Sequence, residues 1–188
     1  MQGQNLPARL ELHRTALVVV DIQEKFRDLI HGMDQVTAGS SQLIRFCQTL
    51  DIPILVTEQY PRGLGVTISE IRRLFKSFPV IEKTHFSCCG NNNFNEALKK
   101  TGRDQIILCG IETHVCVYQT AFDLLHQNKQ VAVAVDAVSS STAAKREIGL
   151  KRMSEIGVQS MGVQMLMFEI LKKAGTEDFK KAAPILKE

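Results

Sequence analysis

The chain has 188 residues, of which 44% are hydrophobic and 23% are charged, and its formal net charge is +3 at pH 7. This length and balance are typical of one globular domain with a sizeable core. No lysine or arginine run is long enough for a nucleic-acid-binding arm, and no apolar run approaches the length of a membrane span. We therefore expect a single domain over residues 1–188, with neither nucleic acid nor a membrane as a partner.

The five cysteines lie at positions 47, 88, 89, 109 and 116. Their number is odd and no spacing resembles a zinc module, so we expect neither a disulfide framework nor a bound metal. The first residues are polar and are not typical of a secretory signal. A reducing, cytoplasmic location is therefore predicted. Cys88 and Cys89 fall in a polar stretch and are assigned no chemistry.

The chain alternates between apolar runs and amphipathic segments. A loosely docked leader is predicted over residues 1–14 and a tail with one or two extra turns over residues 176–188. Strands are predicted over residues 15–21, 52–57, 80–84, 105–108, 131–136 and 158–161. Helices are predicted over residues 37–50, 68–75, 94–100, 117–125, 143–156 and 163–173, with loops over 58–65 and 85–93. This alternation predicts a three-layer α/β fold, in which helices cover both faces of a doubly wound, six-stranded parallel sheet.

The glycine-rich loops that hold nucleotide phosphates are absent. Neither GxGxxG after the first strand nor GxxxxGK followed by serine or threonine occurs in the chain. These loops place backbone N–H groups around phosphate oxygens. We therefore expect no nucleotide, flavin or other cofactor.

Three residues of complementary chemistry follow predicted strands. Asp21 follows the first strand, Lys83 lies near the end of the third, and Cys116 lies about one turn into the helix after the fourth. Since the carboxyl ends of parallel strands gather along one rim, these residues are predicted to meet. An aspartate can accept a thiol proton, and a lysine can stabilise the thiolate. The helix position is also expected to lower the pKa of the Cys116 thiol.

Each of the three residues also has a purely structural interpretation. Cys116 can be a small buried hydrophobe, since free cysteine is among the most buried residue types. Asp21 can be a cap or loop residue, and Lys83 can form an exposed charged pair with Glu82. The residue pattern alone leaves the catalytic and the structural interpretations open.

Six further residues are predicted to contact a small-molecule substrate because they lie near the same strand ends and loops. They are Gln23, Phe26, Gln59, Tyr60, Phe86 and His114. The two phenylalanines would form apolar walls, and Gln59 and Tyr60 would select the substrate. Instead of contacting substrate, Gln23 can have a purely structural role in its loop, and His114 can cap the helix or face solvent.

Three segments, in this order, resemble the isochorismatase-like cysteine hydrolase superfamily, which includes nicotinamidases and N-carbamoyl amidohydrolases. They are residues 16–23 (ALVVVDIQ), 81–87 (IEKTHFS) and 110–117 (GIETHVCV). The resemblance covers roughly residues 15–167. The loop over residues 57–65 further resembles the subgroup called isochorismatase domain-containing proteins.

The resemblance implies a catalytic triad of Asp21, Lys83 and Cys116 and a Rossmann-like strand order of 3-2-1-4-5-6. It also implies a cis peptide bond at Ile111–Glu112, with the N–H groups of Glu112 and Cys116 forming an oxyanion hole. Members of this superfamily are usually oligomers, so a homo-oligomer is expected.

Two departures from the superfamily narrow the expected chemistry. Nicotinamidases carry an Asp-x-His metal set after the second strand, where residues 58–61 of this chain read EQYP, so neither a metal nor nicotinamide is expected. True isochorismatases cleave a vinyl ether without a nucleophilic cysteine, whereas this chain has Cys116. The sequence therefore predicts a hydrolase of a small amide-like or ester-like substrate, acting through a thioester on Cys116. The alternative is a catalytically silent member of the fold that acts as a binding or scaffold protein.

Overall fold

The six apolar runs form the strands of one sheet. The computed structural model describes residues 8–78 and 80–187. The strands are β1 (Thr15–Val20), β2 (Ile54–Gln59), β3 (Val80–Lys83), β4 (Gln105–Ile111), β5 (Gln130–Ser139) and β6 (Gln159–Met161). They are all parallel and lie in the order β3-β2-β1-β4-β5-β6. The predicted α/β fold and the strand order implied by the resemblance are therefore confirmed.

Helices connect the strands across both faces of the sheet. They are α1 (Met33–Thr49), α2 (Pro61–Leu64), α3 (Ser69–Arg72), α4 (Asn92–Thr101), α5 (Tyr118–His126), α6 (Ala143–Glu155), α7 (Val163–Leu171) and α8 (Glu177–Ala182). Short 3-10 turns occur at Glu24–Phe26, Cys88–Gly90 and Ile185–Lys187, and a π-helical turn occurs at Thr113–Val117. Among the described residues, no helix combines the length and apolar character needed to cross a membrane.

β1 lies at the centre of the molecule and is completely buried. Leu17 and Val19 pack into the core that contains residues of α1, α7 and α8. Val18 and Val20 pack into a second core with residues of α4, α5 and α6. Because both faces of the strand are covered, a continuous apolar run suits it better than an alternating pattern. Its central position brings Asp21 to the middle of the rim formed by the strand ends.

Several strands and helices differ from their predicted bounds. β2 continues to Gln59 and β4 to Ile111, because these residues pair with β3 and β5 respectively. Such pairing between distant segments overrides the local apolar pattern. The helix predicted over residues 68–75 forms only the single turn α3, and the Leu74 carbonyl accepts a hydrogen bond from Gln48 of α1 at 2.9 Å. The loop predicted over residues 58–65 contains the short helix α2.

The described part of the N-terminal segment is firmly packed. The Leu10 side chain is 0% exposed, and its N–H donates to Glu169 Oε1 at 2.9 Å. The Gln105 side chain accepts from the Glu11 N–H at 2.7 Å and donates to the Arg9 carbonyl at 2.9 Å. The prediction of a loosely docked leader is therefore wrong for residues 9–11, because burial and long-range hydrogen bonds fix them. Residues 1–7 lie outside the described residues.

Gly110 allows β4 to approach β1 closely where the two strands end. It pairs with Val20 and has a φ of 114°. A Cβ atom on Gly110 would lie 2.0 Å from the Val20 carbonyl oxygen. Since Val20 directly precedes Asp21, this glycine sets the spacing between the two segments that carry the predicted base and nucleophile.

We expect Gly110→Ala to destabilise the fold severely. Gly102→Ala is the matched control, because Gly102 also has a positive φ (66°) but nothing lies within 4 Å of its Cβ position. An alanine in the left-handed region costs about 1–2 kcal/mol, so the control should lose about that much and Gly110→Ala at least about twice as much. Urea denaturation measures both free energies of unfolding. Equal losses would mean that the contact with Val20 relaxes at little cost.

Candidate active site

Asp21 turns the chain at the end of β1. Its φ of 50° lies in the left-handed region, which aspartate adopts more readily than most residues. The Asp21 N–H donates to the Thr57 carbonyl at 3.2 Å, and the Thr57 hydroxyl donates to Asp21 Oδ1 at 2.7 Å. The end of β2 therefore holds both the backbone and the buried carboxylate of Asp21.

Lys83 contacts the other carboxylate oxygen from the end of β3. Its Nζ donates to Asp21 Oδ2 at 2.6 Å and to Gln59 Oε1 at 2.7 Å. It also donates to the carbonyl oxygens of Phe86 at 3.0 Å and His85 at 3.2 Å. The side chains of the ion pair are 0% and 1% exposed, and a buried pair of this kind is stable only when its hydrogen bonds are made. Four acceptors surround three ammonium protons, so Lys83 has no proton left for another partner.

Burial and the ion pair shift the proton affinities of both groups. Burial raises the pKa of Asp21 above its usual range, against the opposing effects of the Lys83 charge and of hydrogen bonds from Lys83 and Thr57. Burial opposes the charge on Lys83 more strongly than any other single effect, but Asp21, Cys88 and Cys116 together outweigh it, and the pKa of Lys83 is raised. Asp21 is thus a stronger base than a solvated aspartate, and Lys83 stays protonated.

Cys116 lies in the π-helical turn that joins β4 to α5, and it lines the same small cavity as Asp21. Burial raises the pKa of this thiol, and the negative charge of Asp21 raises it further, while Lys83 opposes the shift. The sequence-based expectation of a lowered pKa is therefore wrong, because loss of solvent and the adjacent carboxylate dominate. The Cys116 thiol is therefore neutral at pH 7.

A cavity of about 100 Å³ opens beside these groups. Its lining consists of Asp21, Phe26, Gln59, Leu64, Phe86, Ile111, Glu112, Val115 and Cys116. A larger groove of about 560 Å³ runs along α1 and α3 and contains none of the predicted site residues. We place the candidate site in the smaller cavity, because a thiol, a carboxylate and an apolar wall meet there. Within the described ranges, no group of three or more histidine, cysteine, aspartate or glutamate residues could hold a metal ion.

Six residues named from the sequence therefore line one cavity: Asp21, Phe26, Gln59, Phe86, Glu112 and Cys116. Leu64, Ile111 and Val115 complete the wall and were not predicted from the sequence. Ile111 and Val115 both lie in the segment 110–117, one of the three that resemble the superfamily. Leu64 lies in α2, where no pattern marks it.

Gln23 does not line the cavity and has a structural role instead. Its Nε2 donates to the carbonyl oxygens of Gln59 at 3.0 Å and Gly65 at 2.6 Å. Its Oε1 accepts from the Gln59 N–H at 2.8 Å. The fully buried amide is thus engaged with backbone on both sides, and the prediction of a substrate contact is corrected. Gln23 ties the segment after β2 to the loop after β1.

Tyr60 and His114 also lie outside the cavity lining. Tyr60 is 55% exposed and borders a separate groove with Arg62 and Glu82. His114 Nδ1 lies 3.0 Å from Ser140 Oγ, at the end of β5. Both residues are close to the rim, as the sequence indicates. The Tyr60 side chain faces the separate groove, and the His114 side chain faces Ser140.

The segment that leads to Cys116 changes direction at Glu112. The Ile111–Glu112 peptide bond is cis. The Glu112 carbonyl accepts from the N–H groups of Val115 at 3.1 Å and Val117 at 3.2 Å, and its Oε2 accepts from the Ser141 N–H at 2.8 Å. These contacts fix Glu112 on both its backbone and its side chain, between the end of β4 and the cavity.

Two residues near Asp21 were missed. Cys88 was assigned no chemistry, yet it is fully buried and its Sγ lies 3.7 Å from Thr57 Oγ1. Thr57 in turn binds Asp21. The strand-end rule that found Asp21 also applies to Thr57 near the end of β2, whereas the polar stretch around Cys88 gave no sign of its burial.

Comparison with known proteins gives the family. Residues 15–165 match the family described as Isochorismatase domain, and the chain belongs to this family of isochorismatase-like hydrolases. Isochorismatase domain-containing protein 2A of Mus musculus is 38% identical over 177 residues, which cover 92% of this chain and 82% of that protein. The resemblance stated from the sequence, including its subgroup, is therefore confirmed.

Two solved structures share the fold. The MAR1 ribonuclease of Caenorhabditis elegans superposes with a TM-score of 0.91 and 35% identity, over 96% of this chain and 93% of that chain. YcaC of Pseudomonas aeruginosa, solved with hexane-2,5-diol and covalent acrylamide, has a TM-score of 0.88 and 25% identity, over 95% and 90% respectively. Similarity extends over nearly the whole chain in both.

We expect Lys83→Met to lower the free energy of unfolding by about 3–5 kcal/mol, because it leaves the Asp21 carboxylate buried without its cation. Lys180→Met is the matched control, since Lys180 pairs with Glu177 at 2.8 Å on the surface with side chains 64% and 79% exposed. The control should change stability by less than about 1 kcal/mol. Chemical denaturation at pH 7 measures both variants. A loss at Lys83 no larger than at Lys180 would contradict this description of the pair.

Proposed function

We propose that this chain acts as one domain that hydrolyses a small amide or ester through a thioester on Cys116. One observation carries the proposal: the buried Asp21 carboxylate binds the Lys83 ammonium and lines the same small cavity as the Cys116 thiol. A base, a cation and a nucleophile in this arrangement suit covalent acyl transfer.

In the first step, the Cys116 proton moves to Asp21 as the sulfur attacks the substrate carbonyl carbon. The carbonyl π electrons move to oxygen and give a tetrahedral oxyanion. The raised pKa of Asp21 favours this transfer, since burial makes the carboxylate a stronger base. Lys83 is saturated by protein acceptors, so it stabilises the charges without giving a proton to the substrate.

In the second step, the tetrahedral intermediate collapses and the bond to the amine or alcohol breaks. The leaving group takes the proton from Asp21, and a thioester remains on Cys116. Water then gives a proton to Asp21 and its oxygen attacks the thioester. The C–S bond breaks, the acid leaves, and Asp21 returns the proton to the Cys116 sulfur. We assign the oxyanion hole to the backbone N–H groups of Glu112 and Cys116, which flank the turn that presents the sulfur.

The cavity favours a small, apolar acyl group. Its apolar lining is formed by Phe26, Leu64, Phe86, Ile111 and Val115. A volume of about 100 Å³ suits a small acyl group beside the thiol. A nucleotide is much larger, and we therefore expect small molecules rather than RNA as substrates, despite the ribonuclease name of the worm relative.

The acrylamide bound covalently in the YcaC structure also supports the proposal. Acrylamide is a small amide and an electrophile toward thiolates. A homo-oligomeric state and a cytoplasmic location remain predictions for this chain.

We expect Cys116→Ala to abolish both turnover and acyl-adduct formation. The test incubates the parent protein with a panel of small aliphatic amides and esters and detects a thioester by intact mass, with product release measured in parallel. Cys47→Ala is the control, since Cys47 is fully buried in the opposite core. It should retain at least about half of the parent activity. Turnover by Cys116→Ala at the parent rate would overturn the mechanism, and a parent protein that forms no adduct with any compound would favour the scaffold alternative.

We expect Asp21→Asn to move the alkylation of Cys116 to lower pH while it abolishes turnover. The negative charge of Asp21 raises the pKa of the thiol, so its removal lowers that pKa and increases the thiolate fraction at a fixed alkaline pH. The same substitution removes the base that accepts the proton during catalysis. Iodoacetamide labelling of Cys116, followed by mass spectrometry from pH 6 to about pH 10, gives the profile. A profile that moves to higher pH would contradict the described electrostatics.

A further inference from the structure

Two buried side chains, Thr57 and Cys88, lead away from Asp21 Oδ1, the carboxylate oxygen that Lys83 does not bind. Thr57 Oγ1 donates to Asp21 Oδ1 at 2.7 Å, and Cys88 Sγ lies 3.7 Å from the same Thr57 oxygen. Cys88 is held in place because its N–H donates to Thr120 Oγ1 of α5 at 2.9 Å. Thr57 and Cys88 are both 0% exposed, so bulk solvent does not compete for these hydrogen bonds.

The chemistry of Asp21, Thr57 and Cys88 fixes the direction of the hydrogen bonds between them. An ionised carboxylate can only accept, so Thr57 gives its single hydroxyl proton to Asp21. The lone pairs of the Thr57 oxygen then remain available to the S–H of Cys88. When Asp21 carries a proton on Oδ1, every bond can reverse: Asp21 donates to Thr57, and Thr57 donates to Cys88 Sγ.

We propose that Thr57 and Cys88 form a reversible hydrogen-bond chain that holds Asp21 in both of its protonation states, with Thr57 as a positioning residue for catalysis. This inference rests on the proposed function, because only a base that gains and loses a proton needs a partner of this kind. It assigns a role to the two residues near Asp21 that neither the sequence nor the triad explains.

The other groups that face Asp21 cannot fill this role. Lys83, from β3, is a donor only, so it favours the ionised carboxylate and loses a hydrogen bond to Oδ2 if that oxygen is protonated. Cys116, from the π-helical turn, is the proton donor itself. Cys88 lies on the far side of Thr57, and burial raises the pKa of its thiol to about 11, so it stays neutral and able both to donate and to accept.

The test follows the Asp21 carboxyl carbon by NMR in protein labelled with carbon-13 at aspartate, with the signal assigned by its loss in Asp21→Asn. Thr57→Val keeps the shape of the side chain but removes the hydroxyl. The ionised carboxylate then loses a charge-assisted hydrogen bond, so its titration midpoint should rise by about one pH unit or more. Thr57→Ser restores the hydroxyl and should return the midpoint close to that of the parent.

Cys88→Ala provides a readout that general disruption of the site would not give. The Thr57 hydroxyl still donates to the ionised carboxylate, but it has no acceptor when Asp21 is protonated. The midpoint should therefore stay unchanged or fall, opposite to Thr57→Val. Cys47→Ala, in the other core, is the control and should leave the midpoint unchanged.

Three results would overturn the proposal: an unchanged midpoint in Thr57→Val, no recovery in Thr57→Ser, or a rise in Cys88→Ala as large as in Thr57→Val. The NMR midpoint does not depend on turnover, so it separates this inference from the proposed function. If the parent hydrolyses small amides or esters, the acidic limb of kcat should move with the midpoint in each variant. If the parent shows no turnover but the variants shift the Asp21 midpoint as described, the proposed function is contradicted and the hydrogen-bond chain is retained.

Discussion

The buried ion pair between Asp21 and Lys83 is the interaction on which the site depends. The two residues end β1 and β3, which are not neighbours in the sheet, because β2 lies between them. β2 bridges this gap with two residues that project from the same face of the strand, since side chains two positions apart point the same way. Thr57 contacts the carboxylate and Gln59 contacts the ammonium. The pair therefore requires the strand order as well as the two charged residues.

The burial that surrounds this ion pair also raises the pKa of the Cys116 thiol. Desolvation and the Asp21 charge both favour the protonated form of Cys116. A permanently ionised thiolate would be exposed to oxidants and alkylating agents, whereas a neutral thiol next to a strong base is reactive mainly during proton transfer. Burial beside Asp21 therefore keeps the Cys116 thiol neutral and of low reactivity at rest.

Sequence reasoning succeeded where local pattern determines structure. The apolar runs predicted all six strands, and their carboxyl ends placed Asp21 and Lys83 on one rim. It failed where contacts between distant segments decide. Gln23 was assigned to the substrate but binds backbone of the neighbouring loop, and Leu10 was assigned to a loose leader but is buried. The burial of Cys88 was equally hidden, because polar neighbours surround it in sequence while α5 covers it in space.

Gln23 holds the loop after β2 in a way that does not depend on the side chains of that loop. Its amide donates to the carbonyl oxygens of Gln59, the last residue of β2, and of Gly65, directly after α2. Helix α2 carries the cavity residue Leu64. Only backbone atoms of the loop take part in these bonds, so they do not depend on which side chains the loop carries. A change of the Leu64 side chain would therefore leave the hydrogen bonds of Gln23 in place, and with them the position of Gln59 beside Lys83.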